Sequence, residues 1–212
     1  TKPQNILNTA PANQQVTETA DFVTVEDKSA DTENSDNIYG FTSAVDTDFK
    51  DMYKVPRDIY GKPKLSGCIK ALVENEYPVH YDIVCQKLSF LFGRSRATSA
   101  VRAEIDYALQ SMQQTIIKKG DFLYPADYID IPVRQANGRP IKYISVDEIA
   151  TAMLCVLGKC VGITKAGLID ETTRAYGFNR RGSNITNAMN EAYDLLLKQG
   201  KIKEVDGKVQ IK

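Results

Sequence analysis

The chain has 212 residues, 42% hydrophobic and 25% charged, with 27 Lys/Arg against 27 Asp/Glu. That is ordinary globular composition, enough for one domain or two small ones. No apolar run approaches the roughly 18 residues of a membrane-spanning helix, and the opening TKPQNILNTAPANQQ lacks the apolar segment of a secretory signal.

The balanced charge hides a split. Residues 1–60 carry 5 Lys/Arg and 11 Asp/Glu, whereas residues 61–212 carry 22 and 16, so an acidic arm of −6 precedes a basic body of +6. The start at threonine is read as that of a fragment of a longer chain.

Residues 1–60 are rich in Thr, Asn, Gln and Asp, with apolar residues in no helical or strand period. Too little surface can be buried there to offset ordering entropy, so a disordered linker is expected. Its DFVTV and IYGFTSAV clusters are short segments able to dock on a neighbour. The arm also has the charge to fold over the basic body and compete with an anionic partner.

From Ser66 a helical period appears, with Ile69, Leu72 and Val73 on one face, interrupted at Pro78. A second helix carries Ile83, Val84, Leu88 and Leu91 and ends at Gly93. A third begins near Ala97, with Val101, Ile105, Ala108, Leu109 and Met112 inward and Arg94, Arg96 and Arg102 around its entrance. KKGDFLYP follows as a turn and short strand. YIDIPVRQANGRPIKYI, residues 128–144, is turn-rich and reads as a connector.

Ser145 and Glu148 then form the S-x-x-E pattern of a capping box, opening a helix with Ile149, Met153, Val156 and Leu157. The next helices are expected from Thr164 to Tyr176 and from Ser183 to Gln199, the last preceded by Arg180 and Arg181. Asp206-Gly207 between alternating apolar residues signals a two-residue hairpin.

Helix, helix, helix, hairpin thus occurs twice. Phe92 aligns with Phe178, 86 residues on, and KKGDFLY aligns with KQGKIKE. The fold expected is mainly α with small β-hairpins, an α+β chain of two tandem winged-helix units, residues 61–134 and 135–212, after a disordered arm. In that plan the third helix and the hairpin wing face nucleic acid. Helix N-termini favour phosphate, and arginine beside them adds bidentate contacts. The candidate nucleic-acid-binding residues are Arg94, Arg96, Arg102, Lys118 and Lys119 in the first unit, and Arg180, Arg181, Lys201, Lys203 and Lys208 in the second.

No catalytic residue, cofactor or metal site is expected. The cysteines, Cys68, Cys85, Cys155 and Cys160, are spaced by 17, 70 and 5, which fits no zinc pattern and suggests reduced thiols in a cytoplasmic protein. His80 lacks a Ser, Cys or carboxylate partner at catalytic spacing, so a capping or packing role is expected. EVDGK, residues 204–208, has the acidic-lysine look of a nuclease but is better explained by the hairpin. Neither a phosphate loop nor a dinucleotide-binding glycine pattern occurs.

The run from IKALVENEYPVHYD through LFGRSRATSAVR, GDFLYP and IPVR to ISVDEIATAMLCVL and GFNRRGSNITNAMNEAYDLLLKQGKI resembles the domain of unknown function numbered 3320, over about residues 66–208. Glu76, Pro78 to His80, Gly93, Arg94 and Arg96 fit its pattern, and Gly177, Phe178 and Arg180 fit likewise. Tyr77 stands where that family commonly has glycine, and LFG stands where a tryptophan-glycine pair is usual. The resemblance implies a C-terminal, non-catalytic accessory domain of a large bacterial superfamily I helicase of the DNA-two/NAM-seven kind. ATPase and restriction-endonuclease-like activities would then sit in upstream domains of the parent chain, and the acidic arm would be the linker from them. The expected partners are those domains and duplex or branched DNA. A protein-docking module of the same parent enzyme and a free-standing winged-helix regulator remain the alternatives.

Overall fold

A computed structural model describes residues 38–43, 45, 47, 57–59, 61 and 63–212. Residues 1–37 of the linker expected over 1–60, its DFVTV cluster and its competition with an anionic partner lie outside the described residues.

Among the described residues the chain is a mixed α+β protein of six α-helices and small antiparallel sheets. Helix α1 spans Leu65–Glu76, strand β1 Val79–His80, α2 Tyr81–Leu91 and α3 Ser99–Gln110. Strands β2 (Ile116–Lys119) and β3 (Phe122–Pro125) follow. After a short 3-10 turn at Ile141–Tyr143 come α4 (Val146–Leu157), α5 (Lys165–Ala175), α6 (Ser183–Lys198), β4 (Ile202–Val205) and β5 (Lys208–Ile211).

Local chemistry sets these bounds. The hydroxyls of Thr98, Ser145 and Thr164 accept from Val101, Glu148 and Gly167 backbone N–H groups, satisfying donors that the first turns of α3, α4 and α5 leave open. The Thr98 cap moves the start of α3 from the expected Ala97 to Ser99. Asp206 and Gly207 take φ of 51° and 71°, the left-handed pair that a two-residue hairpin requires.

The element order of α1 to β3 recurs in α4 to β5. Helices α2 and α5 begin 84 residues apart (Tyr81, Lys165), as do α3 and α6 (Ser99, Ser183), while the hairpins begin 86 apart (Ile116, Ile202) because α6 is longer than α3 and the loop after it is shorter. The observed offsets correct two expected alignments. Phe92 precedes its glycine whereas Phe178 follows its own, and the Gly120-Asp121 turn matches Asp206-Gly207 instead of Gln199-Gly200. Val79 pairs with Leu123 at one sheet, and Ile163 bridges Val209 at the other, so each hairpin gains a short third partner.

Two cores result. Ile69, Leu72, Val84, Leu88, Val101, Ile105 and Leu123 fill one; Ile149, Met153, Leu168, Met189, Tyr193 and Ile202 belong to the other. Each such aliphatic side chain contributes about 1.5–3 kcal/mol by leaving water. Both cores lie within the single compact unit Asp36–Lys212.

Two expectations are revised by this packing. Part of the presumed linker is docked: Phe41 is buried against Tyr176 at a ring distance of 5.4 Å. Thr42 also exchanges backbone hydrogen bonds with Val133 and Gln135. An aromatic ring and one bridge to the sheet-like 133–135 stretch suffice there, although the segment has no apolar period. The connector is likewise structural, since Val133, Ala136 and Ile144 are buried in the second core.

Candidate nucleic-acid interface

The sharpest repeated geometry lies between the second and third helix of each half. Gly93 and Gly177 have φ of 71° and 84°, a left-handed conformation that ends a helix at little cost only for glycine. The next residue closes each end, Arg94 N–H donating to Ser89 O (2.8 Å) and Phe178 N–H to Thr173 O (3.2 Å). Three residues after each glycine, and two before the caps Thr98 and Gly182, stand Arg96 and Arg180. Both are exposed, and neither has a hydrogen-bond or ion-pair partner among the described residues.

The other arginines are engaged. Arg94 lies 3.8 Å from Glu104, and Arg181 pairs with Asp170. Arg102 donates to Asp82 at 2.7 Å, which holds its guanidinium above the usual pKa, and sits 5.6 Å from the Tyr81 ring centre. Lys118 approaches the same ring to 4.3 Å. Tyr81 therefore gathers a cation from α3 and one from β2 onto a single aromatic ring. In the second half the matching position is Lys165, which lies over Tyr193 at 4.4 Å and 3.7 Å from Asp194. Lys203 and Lys208 are exposed on β4 and β5, and the Lys208 stem lies against Gly162.

Lys119 alternates to the opposite face from Lys118. It donates to the Tyr128 hydroxyl, which raises its pKa, and stands 3.5 Å from Asp147 in the first turn of α4. With Lys201 it lines a cleft of about 240 Å³ that also includes Ile129, Ile131, Leu154 and Leu195. Lys119 is thus brought to the junction between the halves and apart from the Tyr81 cluster.

The junction itself escaped sequence reasoning. Arg134 donates to Glu76 O (2.7 Å) and Pro78 O (3.0 Å) at the end of α1, and to Glu148 Oε2 (3.1 Å) on α4. Arg139 joins Glu148 at 2.9 Å. The expected capping box is therefore half formed: Ser145 caps Glu148 N–H, but the Glu148 carboxylate serves the two arginines. The only sequence signal was the x-x-E spacing, and it pointed the carboxylate toward the wrong donor.

His80 caps α2, its Nδ1 accepting from Asp82 N–H at 3.1 Å, and its ring meets Phe122 and Tyr143 edge-on at 5.1 and 4.9 Å. The capping role is as expected, and the ring packs against β3 and the 3-10 turn. The four cysteines are free thiols, and burial pushes those of Cys68, Cys85 and Cys155 up. Among the described residues no group of three or more His, Cys, Asp or Glu is placed to hold a metal ion, and no helix is long and apolar enough to cross a membrane. Glu204 of EVDGK accepts from the Tyr193 hydroxyl, and its Asp-Gly forms the hairpin turn.

No family model, no curated protein and no solved structure matches this chain.

Proposed function

We propose that residues 61–134 and 135–212 are two winged-helix units of a non-catalytic module that grips duplex or branched DNA, mainly through its phosphates. The observation that carries this reading is the equivalence of Arg96 and Arg180, two exposed, unpartnered cations at the entrance of the third helix of each half. A charge left without an internal partner at a helix N-terminus suits a phosphate, since the backbone N–H groups there are oriented the same way. Charge balance also favours it. Residues 61–134 carry 10 Lys/Arg to 8 Asp/Glu and residues 135–212 carry 12 to 8, so both halves are positive and the second more so.

The grip rests on Arg96 and Arg180 first. Lys118, Lys203 and Lys208 add exposed charge on the hairpins, and Arg94, Arg102 and Arg181 add cations already braced by carboxylates. Phosphate contacts position the duplex without reading bases, so binding is weakly sequence-specific and falls steeply with salt. The resemblance to domain 3320 supports setting the module at the end of a bacterial helicase with a nuclease domain, where the chemistry belongs to the upstream domains. Fluorescence anisotropy of the chain with labelled duplex, forked and single-stranded DNA at two salt concentrations tests this. Absence of binding to all three at low salt overturns it.

A second reading, a protein-docking module of the same parent enzyme, is favoured by one observation. Ile129, 91% exposed, lines the cleft at the junction and offers an apolar side chain to a partner. Co-purification with the upstream domains together with no DNA binding would select it.

A further inference from the structure

The two halves differ where the third helix faces the hairpin. In the first half a cavity of about 660 Å³ opens between α3 and β2; Leu109, Ile116, Ile117 and Leu123 give it apolar walls, and Asp106, Gln110, Gln113 and Lys118 polar ones. That volume lies within the roughly 300–1,000 Å³ of sites that take small organic groups. At the 84-residue helix offset Leu109 corresponds to Tyr193 and Gln110 to Asp194, and at the 86-residue hairpin offset Lys118 corresponds to Glu204. Tyr193 is buried, donates its hydroxyl to Glu204 and lies under Lys165. The second half thus ties α6 to β4 with an aromatic ring and its hydrogen bond, where the first half has a shorter aliphatic side chain and an open cavity.

The lining suits a nucleobase better than a phosphate. Asp106 puts a carboxylate on the cavity wall, which repels a phosphate but accepts from the exocyclic amine of a base. The side-chain amides of Gln110 and Gln113 are exposed and have no hydrogen-bond partner among the described residues. Each offers both a donor and an acceptor, as a base edge requires. The apolar walls take the flat face of the ring, and a base that is already unpaired costs least to seat there. Lys118, held over the Tyr81 ring beside Arg102, sets positive charge at one side of the cavity for the attached phosphate.

We propose that this cavity receives one unpaired base of the bound DNA, with the base edge on Gln110 and Gln113 and its phosphate on Lys118. The first half then senses a bulge, flap or fork, while the second half, where Tyr193 and Glu204 occupy the matching place, holds duplex. This preference rests on the proposed DNA grip and names the DNA structure that the grip favours.

The test uses the whole chain and two duplexes that differ by a single extra, unpaired 2-aminopurine nucleotide. The bulged duplex should bind about tenfold tighter, and its 2-aminopurine emission should change on binding as the base leaves the stack. Leu109→Tyr, which fills the cavity as Tyr193 does in the second half, should bring the affinity ratio toward one. The double variant Gln110→Ala/Gln113→Ala, at exposed positions, should do the same. Equal binding of the two duplexes by the wild type, unchanged emission, or a preference that survives in either variant would overturn the proposal and leave the DNA grip intact. Failure to bind either duplex at low salt would overturn the grip and this preference with it. Should Leu109→Tyr fail to fold, the glutamine double variant decides alone.

Discussion

Arg134 and Glu148 meet at 3.1 Å with side chains 5% and 0% exposed, and this pair ties the connector to both halves of the chain. The same guanidinium takes the carbonyls of Glu76 and Pro78, where the end of α1 presents acceptors that its own ladder leaves unused. Arg134 therefore closes a helix end in one half and a carboxylate in the other.

Removing the shared acceptor is expected to cost more than removing either donor. Glu148→Ala leaves two guanidiniums buried without a carboxylate, a loss of about 3–5 kcal/mol. Arg134→Met keeps Glu148 paired with Arg139 and should cost less. Urea denaturation of both variants checks the order. The exposed pair Lys70–Glu74 gives the baseline: Lys70→Ala should shift stability by less than about 1 kcal/mol. A Glu148→Ala loss no larger than that would deny the junction its role.

Phe41 offers a separate check on which residues belong to the folded unit. Its side chain is 2% exposed and packs on Tyr176, while Tyr39 beside it donates to Glu171. Burial and that carboxylate push the Tyr39 phenol up to about 12. Phe41→Ala should destabilise by about 3 kcal/mol, whereas Ile59→Ala, at an 89% exposed position, should be near neutral. Guanidinium unfolding curves of the two variants measure the difference, and equal midpoints would remove residues 38–43 from the core.

These two sites mark where sequence reasoning stopped. The helices were legible because their ends carry local signals: a Thr or Ser that caps, a glycine that turns left-handed, an apolar stripe between. Asp206-Gly207 announced its hairpin for the same reason. Phe41 had no such signal, since one buried ring in a polar stretch makes no period. Arg134 sits in IPVRQANGRP, which reads as turn chemistry, and its acceptors lie 58, 56 and 14 residues away. Tertiary proximity of that kind leaves no trace in spacing. The candidate cations show the same divide. Their clustering at helix entrances was readable, but which of them are taken by carboxylates was not, because Asp82 and Asp170 lie one helix earlier in the chain.

The His80 cap predicts a pH dependence with a definite sign. Burial outweighs the nearby Asp82 and Asp121 carboxylates and lowers its folded pKa below 6.5. The unfolded chain then binds the proton more readily than the folded one, so the His80 contribution is present above about pH 6.5. It is lost as pH falls through the folded value. Protonation also removes the lone pair that accepts from Asp82 N–H. His80→Asn keeps a capping oxygen and does not titrate. Its stability between pH 7.5 and 5.5 should fall less than that of the wild type, as measured by urea denaturation at each pH. Parallel profiles would show that the imidazole is not the titrating group.

The equivalence of Arg96 and Arg180 gives the test that separates the proposed grip from a generally basic surface. Both are exposed and unpartnered, so substitution removes a charge without orphaning a carboxylate. Arg96→Ala and Arg180→Ala should each leave the melting temperature unchanged and weaken DNA binding. Each should also lower the slope of log affinity against log salt by about 1, the change expected for one lost phosphate contact. The double variant should lose about 2 from that slope if both arginines engage one DNA. Lys119→Ala is the internal control, because Lys119 is held by Tyr128 and Asp147 at the junction and should leave the salt slope as it is. Anisotropy titrations over a series of salt concentrations read all four. A slope that responds to Lys119 as much as to the arginines would mean that net charge, and not the helix entrances, carries the binding.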